Sequence, residues 1–273
     1  MGLSFASAAS WGAGDFTGGI AAKRTGVFGL VVAAHGTGFL AVLVLTLIRH
    51  EPIPARHFLL LWAIAGGLLG SIGLAAFYRA LAVGKMGINA PVAAVIAAAL
   101  PVTIGIFLQG RPGKPQLLGF VVAIIGIVLV SKPEAFHERP AGIGLAVLAG
   151  VGFGGFLTCM NLAGASGVLW PLCIGRLSSA LLMLLFCLFA RQSPLPTPRL
   201  LPLAVLTGIL DTAGNAFFMM ATQAGRLDVA AVLSSLYPVI TVVLARSILK
   251  ERMHRVQTAG MWIVLVAIPL IAA

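Results

Sequence analysis

The chain has 273 residues, of which 60% are hydrophobic and 9% charged, with a formal net charge of +11 and a mean hydropathy of +1.07. A soluble domain carries about 25% charged residues, so this composition excludes one. The positive charge sits at the ends of apolar runs rather than on one face, which sets nucleic acid aside and makes the lipid bilayer the partner.

Ten apolar runs follow one another, each of a length to cross or nearly cross a bilayer as a helix. The first, Gly2–Ala22, has no basic residue ahead of it and Lys23-Arg24 behind it. A secretory signal has the opposite polarity, so this run is read as a span. Val27–Ile48, Phe58–Arg79, Met86–Leu108 and Gln116–Ser131 complete a first set of five, and Lys132–Ala141 is a linker. Gly142–Ala163, Val168–Ala190, Leu200–Gln223, Val229–Leu249 and Val256–Ala272 make a second five. Pro, Gly and charge punctuate the breaks, as in RHEPIPARH from Arg49, GRPGKP from Gly110 and RQSPLPTPR from Arg191.

The two sets echo each other. Gly73 matches Gly214, Phe77 matches Phe218, Gly84-Lys85 matches Gly225-Arg226, and Gln116-x-x-Gly119 matches Gln257-x-x-Gly260, all at a shift of 141. A constant offset over half the chain marks a repeat. Five spans is an odd number, so the second copy enters the bilayer inverted, the arrangement transporters use to open one site to either side. The expected fold is all-α and polytopic, with ten transmembrane helices as two inverted five-helix repeats over residues 1–131 and 142–273. Twelve of the eighteen Lys and Arg residues fall on one side of these spans, five fall on the side holding both termini, and Arg176 lies within a span. The positive-inside rule then puts the termini outside.

Several segments resemble the EamA-type branch of the drug/metabolite transporter superfamily. They are WGAGDFTGGIAAKRTG from Trp11, AAFYRALAVGKMGINAPVAAV from Ala75, LLGFVVAIIGIVLVS from Leu117 and VAAVLSSLYPVITVVLARSILKER from Val229. The likeness falls in both halves, and its most specific piece is Tyr237-Pro238 followed by Lys250-Glu251-Arg252. QGRPGK at Gln109–Lys114 departs from the Gly-Glu-Arg-like turn usual there. The resemblance implies ten spans, a central cavity, and alternating-access movement of small metabolites, often outward, across a bacterial-type plasma membrane.

Four ionisable residues lie well inside spans: Asp15, His35, Arg176 and Asp211. Charge at such depth is costly, by at least ~2.5 kcal/mol, and marks protein interior or trapped water. All four sit near mid-span, where transporter sites lie. Asp211 and Arg176 are expected to pair with each other or with a solute group, and Arg176 suits a carboxylate held by two parallel bonds. Asn215 shares a helix face with Asp211. Burial disfavours a carboxylate, which makes Asp15 the candidate proton carrier, and His35 is the second proton-coupling candidate. Tyr237, ahead of a helix-kinking proline, and Asn89, two residues ahead of Pro91, are candidate solute contacts, with Pro101 a further kink. Trp11 joins them through the resemblance alone. The same residues also fit a simpler role as helix-packing hydrogen bonds.

Nothing points to catalysis. There is no HExxH, GxSxG or GxxxxGK[S/T] pattern, and the five histidines are scattered. Cys159, Cys173 and Cys187 stand singly in apolar runs and are read as packing residues, with no metal and no cofactor expected. Gly14-x-x-x-Gly18, Gly66-x-x-x-Gly70 and Gly150-x-x-x-Gly154 are read as close-packing helix faces. The chain is thus expected to be a secondary transporter of an amino-acid-like or drug-like solute, proton-coupled and exporting, with a homodimer possible. A channel or a non-transporting scaffold is the alternative.

Overall fold

The computed structural model describes residues 1–54, 58–84, 86–130, 141–249 and 255–272. The linker core, residues 132–140, and the Lys250-Glu251-Arg252 segment lie outside the described residues, as does Lys85. Among the described residues every regular element is helical. The α-helices are α1 (Gly2–Ala22), α2 (Val27–Ile48), α3 (Phe58–Val83), α4 (Met86–Gln109), α5 (Lys114–Val130), α6 (Ile143–Ala163), α7 (Leu169–Phe189), α8 (Leu201–Ala224), α9 (Leu227–Ser234), α10 (Tyr237–Leu249) and α11 (Arg255–Ala272). A short 3-10 turn, Gly164–Ser166, follows α6. Five of these, α2, α3, α6, α7 and α8, are long and apolar enough to cross a membrane.

The ninth apolar run is two helices rather than one. Helix α9 stops at Ser234 and α10 starts at Tyr237. Pro238 has no N–H for the Ser234 carbonyl, and its ring crowds that group, so the helix ends where the proline's missing bond would begin. Helix α4, which holds Pro91 and Pro101, is by contrast one helix from Met86 to Gln109. At the positions 141 residues before Ser234-Ser235 it carries Ala93-Ala94. Alanine favours the helix, whereas serine competes for its backbone.

The offset of 141 reaches the helix bounds. Adding it to Gly2–Ala22 of α1 gives Ile143–Ala163, which are the bounds of α6. It also reaches the caps. His50 and Arg191, 141 residues apart, are the two non-glycine residues with positive φ among those described, both at 51°. Each closes its helix the same way. Glu51 N–H donates to the Thr46 carbonyl after α2, and Gln192 N–H to the Cys187 carbonyl after α7.

Helix packing follows the same rule. Helix α3 packs on α6 and α7, and α8 packs on α1 and α2, the equivalent pairs when the halves are exchanged. Helix α4 lies on α6 as α9 and α10 lie on α1, while α2–α7 and α5–α11 are pairs of equivalent helices. Two crossings are held close by glycine. A Cβ on Gly208 would sit 2.8 Å from the Cα of Ala34, where α8 meets α2. A Cβ on Gly67 would sit 2.9 Å from the carbonyl carbon of Gly175, where α3 meets α7. These four residues are again two pairs at the same offset, so the small residues that bring α2 and α7 inward are equivalent in the two halves.

Candidate functional site

The helices brought together in this way surround a cavity, part of it open to the outside. Seven of the eight residues singled out in the sequence line it: Trp11, Asp15, His35, Arg176, Asp211, Asn215 and Tyr237.

Its polar centre is an ion pair between α7 and α8. Arg176 Nη1 lies 2.6 Å from Asp211 Oδ2. His35 of α2 brings Nε2 to 3.3 Å from the same oxygen. The other ring nitrogen, Nδ1, is hydrogen-bonded to Ser179 Oγ, one turn beyond Arg176 on α7. Three helices thus converge on one carboxylate, and the seryl hydroxyl fixes which face of the imidazole meets it. Room for the cluster comes from Gly38, one turn beyond His35, where a Cβ would stand 3.3 Å from Thr212 Cβ and 3.5 Å from Arg176 Cδ. Arg176 is 4% exposed. Its Nε and Nη2 have no hydrogen-bond partner among the described residues.

A second cluster joins α1 to α8 and α10. Trp11 Nε1 donates to Asn215 Oδ1 at 2.8 Å. The indole lies 5.9 Å from the Phe218 ring and 6.4 Å, edge to face, from that of Tyr237. Gly214 makes the space, since a Cβ there would sit 2.9 Å from Trp11 Cγ. The Tyr237 hydroxyl is buried and has no hydrogen-bond partner among the described residues. Asp15, one turn beyond Trp11, is half-buried and faces the same cavity as Asp211. The remaining wall is largely apolar, with Phe153, Phe156, Leu157 and Met160 from α6.

Asn89 lies elsewhere. It is fully buried, and its Nδ2 donates to the carbonyls of Ala80 at 2.8 Å and Ala141 at 3.1 Å. It ties the start of α4 to the end of α3 and to the approach of α6, and it is not among the cavity residues. Ser179, Phe153 and Phe156 are cavity residues that sequence reading passed over. Ser179 had a usable signal, because it sits one turn from a buried arginine. The two phenylalanines had none that separates a cavity wall from packing.

Outside the spans, Arg226 binds the buried Asp228 through two bonds, Nε to Oδ1 at 3.0 Å and Nη2 to Oδ2 at 2.7 Å. Hydrogen bonding to that carboxylate holds the guanidinium above its ordinary value. Nη2 also donates to the Gly110 carbonyl at 2.9 Å, linking the α8–α9 turn to the α4–α5 turn.

The EamA-like transporter family is matched over residues 140–273. The chain belongs to that family. EamA-like proteins are membrane transporters of the drug/metabolite type, and the long apolar helices make this chain an integral, multi-pass member. An uncharacterized protein of Methanocaldococcus jannaschii is 32% identical over 122 residues, 44% of this chain and 88% of that one. A solved crystal structure shares the fold, with a TM-score of 0.76 at 17% identity over 98% of this chain and 94% of the other.

Proposed function

We propose that this chain is a secondary active transporter that exports a small amino-acid-like or drug-like metabolite by alternating access, coupled to protons, across a plasma membrane. The observation that carries the reading is the cavity that Asp15, His35, Arg176 and Asp211 line, walled in part by α2, α7 and α8, which are long and apolar enough to cross a membrane. Residues 1–131 and 142–273 serve as two five-helix repeats, inverted relative to each other and joined by 132–141. The equivalent helix bounds, caps and crossings at the shift of 141 support the repeat. Trp11, Asn215, Tyr237, Arg176 and Asp211 contact the solute, while Asp15 and His35 carry the proton. Exchanging the conformations of two such halves exposes the same pocket first to one side and then to the other.

The test is a metabolite screen with the purified chain in sealed proteoliposomes under an imposed pH gradient. A solute should move together with protons, and Asp211→Asn and Asp15→Asn should each stop it while the protein remains inserted. Absence of both solute and proton flux overturns the proposal. Ion currents far above carrier turnover would make the chain a channel instead.

A further inference from the structure

We infer that the solute is a small organic acid whose carboxylate is held on the Nε/Nη2 edge of Arg176, with an apolar or aromatic body against Trp11, Phe153 and Phe156. This rests on the transporter reading above and narrows it to a substrate class. The guanidinium commits Nη1 to Asp211 at 2.6 Å. The opposite edge, Nε with Nη2, offers two parallel N–H groups, and both nitrogens are buried without an acceptor among the described residues. Unpaired buried donors are costly, and they are costlier on a charged group in a membrane interior. Nη1 is the nitrogen that meets Asp211, which leaves the Nε/Nη2 edge to a ligand. A carboxylate matches it, because two oxygens meet two parallel donors.

The rest of the cavity narrows the class further. The guanidinium already shares its charge with Asp211, so an anion with two charges is disfavoured against one with a single charge. That separates a carboxylate from a phosphate, which fits the same fork. The α6 wall of Phe153 and Phe156 offers few groups to hydrogen-bond a polyol. It suits a ring or a branched chain.

The experiment measures binding of four matched probes to the full chain in detergent: 3-phenylpropionate, 3-phenylpropionamide, 2-phenylethylamine and phenyl phosphate. The carboxylate should bind at least about tenfold more tightly than its amide, the amine or the phosphate, since each of these leaves the fork unpaired or adds charge. Arg176→Lys keeps the charge and loses the fork, and should erase that preference. If Arg176→Lys does not fold, the double variant R176Q/D211N removes both charges together and should likewise bind acid and amide equally. The inference is overturned if the amide, amine or phosphate binds as well as the acid, if the preference survives in R176Q/D211N, or if no probe binds. Proton-coupled flux of a solute without a carboxylate would sink this inference and leave the transporter reading standing. Absence of all flux sinks the transporter reading itself.

Discussion

His35 and Arg176 stand 141 residues apart in the chain and approach the same oxygen of Asp211, at 3.3 and 2.6 Å. They are equivalent positions of the two halves. The residue equivalent to Asp211 is Gly70, which also lines the cavity. Positions matched by the 141-residue offset therefore carry unequal side chains: two basic groups, His35 and Arg176, share one acid. This follows from the close α2–α8 and α3–α7 crossings, which bring α2 and α7 to the middle of the bundle.

Breaking that pair should cost more than removing it. Asp211→Ala or Arg176→Ala leaves a buried charge without its partner, at about 3–5 kcal/mol of stability. R176Q/D211N should recover most of that loss, because the pair's own worth is offset by desolvation. Denaturation of the three variants in detergent, treated as a double-mutant cycle, measures the coupling. Transport should be lost in all three.

Ser179 reaches the acid through His35. Ser179→Ala should remove the hydrogen bond that sets the imidazole, costing about 0.5–1.5 kcal/mol. The expected signature is a changed pH profile of transport with a smaller change in solute affinity. Equal pH profiles for the parent and the variant would show that the hydroxyl merely packs.

The glycine crossings predict a contrast between neighbours on the same framework. A methyl group on Gly208 would meet the backbone of Ala34, so α2 and α8 would have to separate. Overpacking of this kind costs about 1–3 kcal/mol. Gly36 has nothing within 4 Å of the added carbon, and Gly36→Ala should be neutral or slightly stabilising. Thermal stability of the two variants side by side decides it, and a silent Gly208→Ala would contradict the close crossing.

The caps of α2 and α7 hold side chains where glycine fits better. His50 and Arg191 both sit at φ 51°. A left-handed backbone costs about 1–2 kcal/mol in a residue with a Cβ, against which glycine loses some unfolded-state entropy. His50→Gly and Arg191→Gly should each therefore gain about 0.5–1 kcal/mol. Similar gains at both positions in a melting experiment would match their identical hydrogen bonding.

Much of this architecture is legible in the residues. Lys23-Arg24 and Arg49 bracket the first two helices so clearly that α1 and α2 run over the expected residues, Gly2–Ala22 and Val27–Ile48. Hydropathy cannot see a helix end inside an apolar run, so the stop at Ser234 was hidden; only the pairing of Ser234-Ser235 with Pro238 carried it. The cavity was legible through its charges, because an ion in a span has few places to go. Asn89 misled for the same reason in reverse. A buried amide serves a helix joint as readily as a cavity, and nothing local to Asn89-x-Pro91 tells the two apart. The aromatic wall on α6 was silent, since phenylalanine facing a void reads like phenylalanine facing a neighbour.

The joint between α9 and α10 has a consequence for the two halves together. Its counterpart in the first half is the uninterrupted stretch of α4 around Ala93-Ala94. A rocking machine with matched arms would spend equal time tipped to either side. Here one arm has an elbow where the other is straight. On the alternating-access proposal the two tilts should then differ in energy, and the empty protein should wait facing one compartment more often than the other.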